Sequence, residues 1–89
     1  MSPQGLLVRA DWPQLPAEHR AAHLIDAARA YLRPGNLAAA GHTLLDADIT
    51  APAEVRHRPY ARTVIAEIAR SGPAAAGVTR LAAIVGLTR

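Results

Sequence analysis

His19 and His23 stand four residues apart, and Asp26 follows one helical turn later. On a helix these side chains share a face, and neutral imidazoles at that spacing can hold zinc. Such a site needs a third or fourth ligand, and Glu18 precedes the pair, so the H-E-x-x-H pattern of metalloproteases is absent. The pair reads as a solvated polar face, as do His42 and Asp46, also four apart. The carboxylates Asp11, Glu18, Asp26, Asp46, Asp48, Glu54 and Glu67 form no pair with a nucleophile or a Gly-rich phosphate loop at recognisable spacing. Ser2, Ser71 and Thr79 are isolated hydroxyls. No catalytic, cofactor-binding or metal-binding residue is assigned, no cofactor is expected, and the chain is not expected to be an enzyme.

The densest charge lies at Arg56, His57, Arg58, Tyr60 and Arg62. Guanidinium forks match carboxylate and phosphate, so Arg56, Arg58 and Arg62 are candidates for contact with an acidic partner segment. The competing reading is a solvated helix start whose arginines pair locally with Glu54. Trp12 and Tyr31 are the candidate interface anchors, with the core favoured for Tyr31, because buried aromatics carry much of the energy of interfaces. The formal charge is only +3 and the arginines are dispersed, whereas a nucleic-acid surface concentrates its charge on one face. Sequence-specific nucleic-acid binding is not expected; a small Arg-rich nucleic-acid-binding protein is the alternative kept beside a protein-binding module.

The elements that must position these groups are helical. A first helix is expected over 16–32, with Pro16 at its first position and Glu18 at the positive end of the helix dipole. Its apolar face is Ala21, Leu24, Ile25, Ala28, Tyr31 and Leu32, at 3.6-residue spacing. Pro34 and Gly35 stop it, and Asn36 suits the N-cap of a second helix buried through Leu37, Ala40, Gly41, Leu44 and Leu45. A connection this short makes the two helices antiparallel neighbours. A third stretch is expected over 52–70, broken near Pro59, with the stripe Ala61, Val64, Ile65 and Ile68. A last helix over 78–85 turns Val78, Leu81, Ala82 and Val85 inward and closes at Gly86. Residues 1–15 form an N-terminal arm that pins Trp12, Leu6, Leu7 and Val8 onto a single helical domain at 16–89.

The first helix pair resembles the 34-residue tetratricopeptide repeat, a W-x₂-L-G-x₂-Y pattern followed by A-x₃-F and Pro. Its packing places are filled here by Leu24, Ala27, Ala28, Tyr31, Ala40, Leu44 and Pro52, with Gly35 in the turn. A shift of 37 residues carries Leu24, Ala27, Ala28 and Tyr31 onto Ala61, Val64, Ile65 and Ile68, and Leu44 onto Leu81. The fold class is therefore all-α: two antiparallel tetratricopeptide-like hairpins with an N-terminal arm. Two pairs fall short of the roughly three that a solenoid needs, so the uncovered end calls for a cover. That cover is the arm, the last helix or an identical chain, with a homodimer expected.

Residues 24–85 also resemble the C-terminal tetratricopeptide-like region of repressor-type helix-turn-helix transcriptional regulators from GC-rich bacteria. The carrying runs are ARAYLRPGNLAAAGHTLLDAD, APAEVRHRPYAR and TRLAAIVGLTR. The resemblance implies a sensing or dimerising module of a regulator rather than an operator reader. No complete N-terminal DNA-binding module is present. The run from Val78 to Arg89 resembles the first helix and turn of a helix-turn-helix but stops before a recognition helix. Arginine without lysine and abundant alanine fit GC-rich coding. With no cysteine, no 18-residue apolar run and no signal-peptide pattern, a cytoplasmic protein away from membranes is expected.

Overall fold

The computed structural model describes residues 15–72, 76–87, and the side chains of all of these but Ala76. Helix α1 spans Ala17–Leu32, α2 Leu37–Thr50, α3 Pro52–His57, α4 Pro59–Arg70 and α5 Ala76–Ile84. The described residues contain helices and no strand. The arm at 1–15, and with it Trp12, lies outside the described residues apart from Leu15.

Local chemistry explains each boundary. Gly35 holds φ +77°, and its N–H donates to the Leu32 carbonyl while the Asn36 N–H reaches back to Tyr31. That is a Schellman closure, which glycine makes without a side-chain clash. Asn36 then caps the next helix, its side chain accepting from the Ala39 N–H at 3.2 Å. One residue thus closes α1 and opens α2, which fixes the hairpin. The expected break near Pro59 falls at Arg58, whose extended backbone (φ −84°, ψ 128°) follows from the proline after it. Gly86 repeats the Schellman closure at φ +78°, with Leu87 N–H donating to Ala82 and Gly86 N–H to Ala83.

The core is apolar throughout. Ala21, Ile25 and Ala28 of α1 meet Ala40, Leu44 and Ala47 of α2, then Val55, Ala61, Val64, Ile65 and Ile68, and finally Val78, Leu81, Ala82 and Val85. The largest contact is between α1 and α2, and α2 also touches α3, α4 and α5. It can serve as this hub because three of its four buried positions, Ala40, Gly41 and Ala47, are small. A Cβ on Gly41 would lie 3.3 Å from Val78 Cγ2, so the bare backbone is what lets α5 come close. Across the same seam Gly77 leaves room for Leu45, whose Cδ1 would sit 2.8 Å from an added Cβ.

The stripes expected on α4 and α5 are buried at every position, as are Ala28, Ala40 and Leu44. Leu24 packs on the core from its edge, partly buried. Two packing places need correction. Tyr31 is 40% exposed rather than in the core. It lies about 60° round the helix from Ala28, on the flank that α2 does not cover. Pro52 is exposed as well. It occupies the first turn of α3, where its missing N–H costs nothing, and so starts a helix instead of filling a seam.

Candidate functional site

The cationic cluster proves to be compensated. Arg56 makes a two-pronged contact with Asp48, Nε at 3.0 Å and Nη2 at 3.1 Å. Arg58 does the same with Glu54, one helical turn away, at 2.8 and 3.2 Å. Both guanidiniums are held above their ordinary proton affinity, first by these hydrogen bonds and second by the carboxylate charge. Arg62 donates to the Arg56 carbonyl at 3.4 Å. Two of the cluster's three forks are thus filled from within the chain, Arg58 by the local pairing with Glu54 that was the competing reading. The Asp48–Arg56 pair also ties the end of α2 to α3, closing the link between hairpins.

Two other arginines are differently placed. Asp26, Arg29 and Arg33 follow one another at i, i+3 and i+7, so they run as one stripe along α1 to its C-cap residue Arg33. Tyr60, at the start of α4, lands beside that stripe and donates its hydroxyl to Asp26 Oδ1 at 2.9 Å. The Arg29 guanidinium stands 5.8 Å from the Tyr60 ring centroid, within cation–π range. Burial, and after it the hydrogen bond to Asp26, push the Tyr60 phenol above its ordinary value of 10.0, while Arg29 pulls the other way. Asp26, Arg29, Ala30, Arg33 and Tyr60 together line an open cleft. A second depression shares Asp26 and Tyr60 with this cleft and is lined besides by Ala22, Ile25, Ala61, Glu54 and Arg58. Among the described residues the carboxylate ion pairs are Asp48–Arg56 and Glu54–Arg58, so no carboxylate pairs with Arg29 or Arg33.

A third groove runs between α2 and α5, lined by Leu45, Asp48, Arg56, Gly77, Arg80, Leu81 and Ile84. Ile84 is 55% exposed at its edge. Ile49, one helical turn beyond Leu45, is 80% exposed.

The buried set holds no polar or charged side chain among the described residues. His19, His23 and His42 are exposed. No group of three His, Cys, Asp or Glu among the described residues could hold a metal ion. No described helix is long and apolar enough to cross a membrane. Comparison of the chain with protein-family models, curated proteins and solved structures finds no match.

Sequence reading placed the candidate site at Arg56, Arg58 and Arg62 because linear density of charge was its signal. The stripe Asp26, Arg29, Arg33 was legible from helical spacing. That Tyr60, 34 residues beyond Asp26, would stand against it was not.

Proposed function

We propose that this chain is a helical interaction module that acts by binding rather than catalysis, with an identical chain as its partner. The observation that carries the reading is the exposed apolar edge of α2 and α5. Ile49 and Ile84 stand in solvent beside a groove whose walls include Leu45 and Leu81. A small domain gains from covering such an edge, because at this size roughly two thirds of the unfolded surface is buried and stability is marginal. Association supplies the missing burial, worth about 25 cal/mol per Å² of apolar area before the costs of association. The regulatory setting, a sensing or dimerising part of a bacterial transcriptional regulator in the cytoplasm, rests on the resemblance of the runs quoted above. The pairing of Arg56 with Asp48 and of Arg58 with Glu54 weighs against the nucleic-acid alternative, since it offsets two of the three positive charges in the patch that reading relied on.

Size-exclusion chromatography with light scattering across a concentration series tests the proposal. The expected result is a mass moving from monomer to dimer by high micromolar concentration. A strictly monomeric mass throughout would overturn self-association and leave a module capped by its own chain.

A further inference from the structure

The cleft on α1 has a definite chemistry. Arg29 and Arg33 offer two guanidiniums to an oxygen anion, and the Tyr60 ring holds Arg29 from one side. A second depression, which shares Asp26 and Tyr60 with the cleft, includes the apolar Ala22, Ile25 and Ala61 in its lining. A fitting occupant carries a carboxylate within about one helical turn of an apolar side chain. It carries a single carboxylate rather than a polyphosphate, because Asp26 lines both depressions and Glu54 one of them, and their repulsion grows with the number of charges brought in.

The chain itself carries such a ridge. Among the described residues the large hydrophobics left exposed are Tyr31, Ile49, Tyr60 and Ile84. Within one helical turn along the chain, Tyr31 and Ile84 have no described carboxylate neighbour. Tyr60 belongs to the cleft. Ile49 has Asp48, already engaged by Arg56, and Asp46, which is exposed and pairs with no cation among the described residues. Asp46 and Ile49 are separated by three residues on α2 and so emerge as neighbours.

We infer that the Asp46–Ile49 ridge of one protomer docks into the Arg29–Arg33–Tyr60 cleft of a second copy, reciprocally about a twofold axis. The inference rests on the self-association proposed above and names its surfaces. Asp46 enters between Arg29 and Arg33, where a carboxylate can take two charge-assisted hydrogen bonds. Ile49 lies over the apolar lining of Ala22, Ile25 and Ala61. About a twofold axis each ridge–cleft pairing occurs twice, so the Asp46 and Ile49 contacts become four in all and the assembly closes at the dimer. Two observations then share one cause: an isoleucine 80% exposed on α2, and two arginines without a carboxylate on α1.

A charge swap between protomers tests this directly. One variant carries Arg29→Glu with Arg33→Glu, the other Asp46→Arg. All three positions are exposed, so both chains keep their fold, which far-UV circular dichroism checks. Sedimentation of each variant alone should show dimerisation weakened at least tenfold relative to the unaltered chain. An equimolar mixture should recover the dimer, because the acidic cleft of one chain faces Arg in place of Asp46 on the other, and the native cleft faces the native Asp46. Wild-type-like dimerisation of either variant alone, or a mixture that stays monomeric, overturns the docking while leaving self-association standing. A monomeric unaltered chain under the same conditions removes both.

Discussion

At the scale of residues, the chemistry of this chain turns on which charges find partners. Arg56 and Arg58 are engaged, and Tyr60 is a residue whose surroundings alter its behaviour. Its phenol is raised by burial and by Asp26, and lowered by Arg29. A raised phenol contributes stability that is fully present below the unfolded value near 10.0 and is lost as pH climbs through the folded value. The expected outcome follows in both directions. In a Tyr31→Phe background, which leaves Tyr60 as the sole tyrosine, alkaline titration by ultraviolet absorbance should show Asp26→Asn moving the transition down. Arg29→Gln should move it up. No movement in either variant would mean that Tyr60 does not stand in the α1 cleft.

At the scale of elements, small residues decide how helices meet. Ala40 is fully buried in α2, the helix that touches every other, and Gly41 beside it admits Val78. Ala40→Arg would force a long charged side chain either into apolar packing without a partner or between helices that must separate. Either outcome costs about 3 kcal/mol or more, a large part of the roughly 5 kcal/mol at the low end for natural domains. Thermal melting followed by circular dichroism should show loss of the cooperative transition or a steep fall in its midpoint. An unchanged midpoint would contradict the burial of Ala40. The caps act at this scale as well. Pro, Gly and Asn at 34–36 end one helix and start the next within three residues, and that punctuation is legible without coordinates.

At the scale of the whole molecule, the balance of charge sets what the surface will hold. A formal charge of +3 attracts any polyanion weakly. With the Arg56 and Arg58 forks filled, duplex DNA should bind only at low salt and without sequence preference, because released counterions are the whole driving force. Fluorescence anisotropy with two unrelated duplexes at two salt concentrations checks this. Binding should vanish near physiological salt and be equal for both duplexes. Tight, sequence-selective binding that survives physiological salt would displace the protein-binding module in favour of a nucleic-acid binder.

The sequence by itself determined the helices and their inward faces. The stripes at Ala61, Val64, Ile65 and Ile68 and at Val78, Leu81, Ala82 and Val85 follow from periodicity, which is a local property of the chain. The break at Arg58 follows from the proline beside it. What only the tertiary structure decided is which side chains meet across helices. Periodicity gives a face but not the width of its cover, so Tyr31 at the flank of α1 was assigned to the core and stands 40% exposed. Charge along the chain gives a density but not its neutralisation, which depends on Asp48 being brought to Arg56 by the bend into α3. Likewise the cleft exists because α4 sets Tyr60 against Asp26 and Arg29, a contact between residues far apart in the chain whose register is fixed by packing of the buried faces.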